Sequence, residues 1–286
     1  MPQQKMVPIT KILSLSCRNV RYYPDLFTID FESSITPIMN PFLDIRRNRI
    51  HEIIECCLSS DLSNQNDFSY NKDALIELRF VANNKLHFIR RVIESGTTKD
   101  LHLYIGELET REFYRDADAA NYLSKFKMIP LYSAAYRGSD QFNNFLSNDC
   151  DFTKLSQNTI MILQKYENEI KNVLRFTLDW ANNRFHRRNK RIGVQQHYLN
   201  IFRLLDKSAE GELSNVVYIE DFGHEVFSSI LYKMITEFTK SNDVQVIFQS
   251  KYNKRRDNAV SIVRANPPYS YKKLIYKSKF KFRYTK

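Results

Sequence analysis

The sequence predicts an α/β protein with an antiparallel, β-rich N-terminal part, a helical middle and a buried β-α-β part towards the C-terminus. Three observations carry this. Short β-type runs separated by polar turns fill residues 9–105. A stretch with helical periodicity, free of proline and glycine, covers residues 152–190. Two almost wholly apolar runs, 216–219 (VVYI) and 244–248 (VQVIF), flank a helical segment near 225–240, as expected of strands covered on both faces.

Taken in order, residues 9–17 (ITKILSLSC) and 26–32 (LFTIDFE) read as strands joined by a polar turn with Arg18, Asn19 and Arg21. A third run at 35–39 follows at once. From 44 to 58 the pattern becomes helical, with Ile45, Ile50, Ile53, Ile54 and Cys57 on one broad face, and 59–72 reads as a polar loop. Strands at 74–81, 86–93 and 101–105 come next, and Asn83-Asn84 makes the first two a hairpin. Short helices are expected at 115–126 and 139–147, flanking an apolar run at 129–132. The long stretch 152–190 places Ile160, Leu163, Tyr166, Ile170, Val173 and Leu174 at helical spacing. Another helix runs from Gly193 to about Leu205. The tail alternates Lys279, Phe280, Lys281, Phe282, Arg283 and Tyr284, a period of two that fits a closing edge strand.

Charge is distributed unevenly. The 286 residues carry 43 Lys+Arg and 32 Asp+Glu, a formal net charge of +11. The last 36 residues hold 12 basic residues and one acid, Asp257, which leaves 31 of each sign in residues 1–250. The body is neutral and the tail holds the excess. Glycine is scarce, with six in the chain, against a usual share of roughly 7%. That argues against a mechanism built on an intact Gly-rich phosphate loop. The four cysteines, Cys17, Cys56, Cys57 and Cys150, have neither disulfide-framework nor zinc-ligand spacing. No apolar run approaches the ~18 residues a bilayer demands, and the N-terminus (MPQQKMVPITK) has no signal-peptide core. The expectation is a reduced, cytoplasmic protein without a metal or a membrane partner.

The opening segment, ITKILSLSCRNVRYYPDLFTIDFESSITPIMN, resembles the start of the RecF/OLD/SMC-type branch of ABC ATPases. Asn19 and Arg21 sit near the branch's "NFR", Thr28-Ile29-Asp30-Phe31 matches its second strand, and Ile35-Thr36 its third. The Walker A pattern Gly-Pro-Asn-Gly-x-Gly-Lys-Ser-Asn then falls on residues 40–48, keeping Pro41 and Asn48. The three glycines are replaced by Asn40, Leu43 and Ile45, the phosphate-binding lysine by Arg46, and the Mg²⁺-ligating serine by Arg47. Side chains at 43 and 45 stand where backbone N–H groups must converge on phosphate, and Arg47 cannot ligate a cation. Further on, Gly193 and Gln195 resemble parts of the signature element, without its serine. Residues 216–221 (VVYIED) are similar to a Walker B strand whose acidic pair, Glu220 and Asp221, is inverted, and 244–251 resembles the strand written QVIFTTHS, with Lys251 at the histidine.

The resemblance spans residues 9–251 and implies an ABC-ATPase-like head with a degenerate nucleotide site, binding no cofactor. Its divisions would be 1–132 (β-rich lobe), 133–192 (helical subdomain), 193–250 (signature and Walker B-like part) and 251–286 (basic C-terminal strands). Nucleotide in this branch sits between two heads, so the implied partner is an active ATPase or nuclease subunit, or a second copy of the chain. The implied setting is DNA repair or anti-phage defence. Glu220 and Asp221 read either as a surviving metal or catalytic pair or as a strand-end pair balancing a nearby Lys or Arg. Arg184, Arg187 and Arg188 suit a nucleic-acid backbone or a helix C-terminus equally. The tail cations Lys251, Lys254, Arg255, Arg256, Lys272, Lys273, Lys277, Lys279, Lys281 and Arg283 alternate with aromatics. They suit nucleic acid, an acidic protein partner, or protection of a sheet edge. No Ser/His/Asp, Cys/His or HExxH set occurs among the six histidines, and His224 beside Glu225 reads as a cap or surface residue. The alternative to a pseudoenzyme is a stand-alone nucleic-acid-binding protein that uses this tail.

Overall fold

The computed structural model describes residues 6–20, 26–31, 34–39, 50–62, 73–106, 111–133, 155–170, 194–221, 225–250, 260–265 and 272–276. They form a mixed α/β fold around two six-stranded sheets.

The first sheet joins β1 (Ile9–Arg18), β2 (Phe27–Asp30), β4 (Ala74–Ala82), β5 (Lys85–Glu94), β6 (Thr97–Ile105) and β7 (Glu112–Arg115) in the order β2-β1-β4-β5-β6-β7, every pair antiparallel. The β4–β5 turn rests on Asn83 and Asn84, with φ of 49° and 57°. Asparagine tolerates this left-handed region, and two such residues in succession match the twist of a tight hairpin. Burial alternates along β4 and β5, so one face of the sheet is apolar and the other meets solvent.

The second sheet joins β3 (Ile35–Met39), β8 (Leu131–Ser133), β9 (Val216–Asp221), β10 (Gln245–Ser250), β11 (Val260–Ala265) and β12 (Lys272–Tyr276) in the order β12-β11-β3-β10-β9-β8. Its pairs are parallel except the edge pair β11–β12. Five helices can be placed among the described residues: α1 (Ile50–Leu58), α2 (Asp116–Leu123), α3 (Gln157–Lys165), α4 (Val194–Ala209) and α5 (Glu225–Ser241). None is long and apolar enough to cross a membrane.

Parallel strands need cover on both faces, and two cores supply it. Val216, Tyr218 and Ile247 look into a core shared with α1, α2 and the apolar face of the antiparallel sheet, including Ile12, Leu15, Leu78, Phe80 and Ile89. Val217, Ile219, Val246 and Phe248 look the other way, onto Ile162 of α3, Phe202 and Leu205 of α4, and Leu231, Met234 and Phe238 of α5. The layers therefore run antiparallel sheet, parallel sheet, helices. Gln245 ties the two sheets together. Its Oε1 accepts from the Ile12 N–H at 2.7 Å, and its Nε2 donates to the carbonyls of Ile12 and Phe31 at 2.8 and 2.9 Å. A buried amide with three partners is satisfied rather than costly. Asp206 of α4 does similar work at the start of α3, accepting from the Ser156 N–H and from the hydroxyls of Ser156 and Thr159.

The structure departs from the sequence expectations at two places. The predicted helix 152–190 is interrupted at Tyr166 (φ −95°, ψ 7°), which closes α3 before a short helical piece at 167–170. Residues 112–115, next to a predicted helix start, form the edge strand β7, because they pair with His102, Leu103, Tyr104 and Ile105. In the basic segment, where strands are expected, β11 pairs with β3 through Val260↔Ile38 and Ser261↔Met39. The expected helix at 139–147, the remainder of the long stretch at 171–190 and the alternating tail at 279–284 lie outside the described residues.

Candidate functional site

The strands that the sequence singled out converge. β3, β10 and β9 are direct neighbours, and the register sets Ser250 beside both Met39 and Asp221, so their C-terminal ends finish level. Residues 40–49 leave from that edge and lead into α1. Ligands of open parallel sheets bind outside the carboxyl ends of the strands, where connections leave in different directions, so this edge is the natural place for a site.

The expected site residues divide sharply. Glu220 and Asp221 are the last two residues of β9. Asn40, Leu43, Ile45, Arg46 and Arg47 lie outside the described residues, as do Gly193, Phe222 and His224. Gln195 falls in the first turn of α4, which begins at Val194. Arg184, Arg187, Arg188, Lys251, Lys254, Arg255, Arg256, Lys277, Lys279, Lys281 and Arg283 also lie outside. Lys272 and Lys273 open the edge strand β12, in register with Ala265 and Arg264.

Alternation turns Glu220 to the same side as Tyr218, towards α1 and the antiparallel sheet, and it is fully buried. The group beside it is an imidazole: His51 Nδ1 of α1 lies 3.8 Å from Glu220 Oε1. The other ring nitrogen, Nε2, lies 3.4 Å from Glu55 Oε2, one turn further along the helix. The His51 ring packs on Tyr218, with centroids 5.3 Å apart and a 46° tilt. The Tyr218 hydroxyl donates to Gln249 Oε1 on the neighbouring strand. Gln249 Nε2 and Thr36 Oγ1, both buried, have no hydrogen-bond partner among the described residues. His51, Tyr218 and Gln249 thus form a polar cluster beside Glu220.

Chemically, the cluster is a carboxylate–imidazole–carboxylate arrangement. Two carboxylates face opposite nitrogens of one ring rather than a common point, and the 3.8 Å between Nδ1 and Glu220 Oε1 is longer than a hydrogen bond. A buried carboxylate is costly unless compensated, and His51 of α1 stands within ion-pair distance of it. Among the described residues no set of three His, Cys, Asp or Glu side chains is arranged to hold a metal ion. Sequence reasoning missed His51. Its signal is a histidine bordering the apolar face of α1, four residues before Glu55, and nothing local connects it to residue 220.

Other buried ionisable groups lie away from this edge and serve the fold. Burial drives the Cys57 thiol far above its ordinary range, which makes it inert. Arg91, also buried, donates to the carbonyls of Ser59 and Asp61 and so fixes the chain just beyond α1, although burial lowers its pKa. Burial likewise lowers the pKa of His87, which stacks on Phe80 at 4.8 Å.

No family model and no curated protein matches the chain. Among solved structures it is similar to the SMC head domain from Thermotoga maritima, with 12% identity, 89% of this chain and 95% of that chain covered, and a TM-score of 0.49. It is also similar to an Smc head with an extended coiled coil bound to the C-terminal domain of ScpA, derived from Pyrococcus furiosus, with 10% identity, 88% and 93% covered, and a TM-score of 0.47. A third is the recombination mediator protein RecF, with 9% identity, 91% and 98% covered, and a TM-score of 0.40. At these identities and TM-scores the likeness adds no weight to what strand order and register show by themselves.

Proposed function

We propose that the chain is a catalytically degenerate ABC-ATPase-like subunit, a scaffold or regulator in a DNA-associated complex of repair or anti-phage defence. It would pair with an active ATPase or nuclease subunit, or with a second copy of itself. The observation that carries this is the adjacency of β3, β10 and β9. Three segments chosen from sequence at residues 35–39, 216–221 and 244–251 need not meet in space, yet they lie side by side, parallel, with their ends level.

Degeneracy is supported from two directions. In the sequence, Asn40, Leu43 and Ile45 replace the glycines, and Arg46 and Arg47 replace the lysine and serine. In the fold, the Walker B-like carboxylate of Glu220 is buried against His51. A carboxylate held that way is poorly placed to orient Mg²⁺ and water. The four-part division at 132, 192 and 250 belongs to the same proposal. Calorimetric titration of the chain with ATP·Mg²⁺ tests it. No binding at micromolar concentrations is expected, and a micromolar Kd overturns the proposal.

A second reading, a stand-alone nucleic-acid-binding protein, is favoured by one observation: Lys272 and Lys273 open a strand at the edge of the sheet. Replacing both with Gln should then lower the slope of log K against log salt by about 0.7 per lost phosphate contact on a single strand. An unchanged slope contradicts that reading.

A further inference from the structure

The solvent face of the antiparallel sheet, remote from the β3–β10–β9 edge, carries a row of aromatic rings. The register sets Ser14 opposite Arg79, Arg79 opposite Phe88, Phe88 opposite Tyr104 and Tyr104 opposite Phe113, so one row crosses β1, β4, β5, β6 and β7. The flanking residues Leu78, Phe80, Ile89, Leu103 and Ile105 are buried on the opposite face, which leaves the row outward. Ring centroids lie 5.8 Å apart for Phe88–Tyr104 and 4.9 Å for Tyr104–Phe113, tilted by 30° and 38°. His102 meets Phe113 nearly edge-on at 5.5 Å. Phe113, on the edge strand, is 51% exposed.

Cations flank the row, and their pairing separates them into two groups. Arg90 pairs with Glu77 at 3.9 Å, Lys85 with Glu112 at 3.3 Å, and Arg115 with Asp100 and Asp116 at 3.3 and 3.1 Å. Arg79 and Arg111 have no carboxylate partner among the described residues. Instead their guanidinium groups lie 5.5 Å from the Phe88 centroid and 5.3 Å from the Tyr104 centroid. Among the described residues, the charges of Arg79 and Arg111 thus sit on the rings.

We propose that this face binds single-stranded nucleic acid, with two or three bases stacked on Phe88, Tyr104 and Phe113 and neighbouring phosphates meeting Arg79 and Arg111. Single strands join flat π-faces to regularly spaced negative charge, which is what the row complements. A duplex hides its base faces in its own stack. An apolar peptide leaves both arginines without a counter-ion. The site rests neither on the degenerate nucleotide site nor on the basic tail, since it lies on the other sheet.

The test is fluorescence anisotropy of a labelled oligothymidylate titrated with the full chain over a salt series, alongside an oligouridylate and a DNA duplex of equal length. Phe113→Ala should weaken single-strand binding by roughly 5- to 150-fold, the usual range for loss of one stacked base. Phe113 is half exposed on a short edge strand, so an unchanged melting temperature is expected and checks that the fold is intact. Arg79→Gln and Arg111→Gln should each reduce the salt slope by about 0.7. Double Gln replacement of Lys272 and Lys273 should leave the Phe113→Ala ratio unchanged. The proposal is overturned if the wild type does not bind the single strands, if duplex binds as tightly as they do, or if Phe113→Ala has no effect. It is equally overturned if Phe113→Ala abolishes self-association of a chain that does not bind oligonucleotide, because the row is then an interface between copies.

Discussion

The two faces of strands β9 and β10 differ in a way that divides stability from chemistry. Towards the helices, Val217, Ile219, Val246 and Phe248 are apolar along their whole length. Towards the antiparallel sheet, Val216 and Ile247 are apolar, Gln245 at the start of β10 bonds across to Ile12 and Phe31, and Tyr218, Glu220 and Gln249 make the C-terminal end polar and buried. Packing alone asks only for apolar side chains of suitable volume. Gln245 is satisfied by its bonds between the sheets, whereas Glu220 and Gln249 at the C-terminal end are buried polar groups that packing does not ask for.

Substitutions on the two faces should fail differently. Phe248→Ala, on the apolar face, should cost about 3–5 kcal/mol through lost burial and a residual cavity, read from the denaturation midpoint. On the polar face, His51→Ala should cost about 3 kcal/mol by leaving the Glu220 carboxylate less compensated. Adding Glu220→Gln to His51→Ala should then recover about 1 kcal/mol or more of that loss. Strictly additive losses would show that the two side chains are not coupled. At the start of β10, Gln245→Leu should cost about 1–3 kcal/mol, because the Ile12 N–H and the carbonyls of Ile12 and Phe31 lose their partner. The smallest effect is in pH. Burial holds the pKa of His87 below its ordinary 6.5, so the unfolded chain takes up the proton first. The stability gained by keeping His87 neutral is present above about pH 6.5 and is lost as pH falls through the lower, folded value. Melting temperatures between pH 7.5 and 5 should therefore decline less steeply for His87→Phe than for the wild type.

Elements whose residues announce their own environment were legible from sequence. Residues 216–219 and 246–248 are continuously apolar because both faces are covered, and Asn83-Asn84 marks a tight hairpin through its backbone preference. Tertiary choices were not legible. The helical period runs through Tyr166 without a break, so the end of α3 carries no signal in the pattern. Four residues, Glu112–Arg115, become a strand only because β6 offers an edge, and nothing in the basic strands of the C-terminal segment names β3 as the neighbour of β11. His51 and Glu220 are 169 positions apart in the chain, and their contact depends on how α1 crosses β9. The aromatic row is hidden for a related reason: Phe88, Tyr104 and Phe113 each look like an ordinary outward strand residue until register aligns them.

The central claim is that the edge formed by β3, β10 and β9 keeps the frame of a nucleotide site and has lost its phosphate loop. Parallel titration with ATP·Mg²⁺ of the wild type and of a variant carrying Asn40→Gly, Leu43→Gly, Ile45→Gly, Arg46→Lys and Arg47→Ser tests it most directly. The account predicts no heat of binding for the wild type and measurable binding for the variant. Wild-type binding as tight as that of the variant would contradict it.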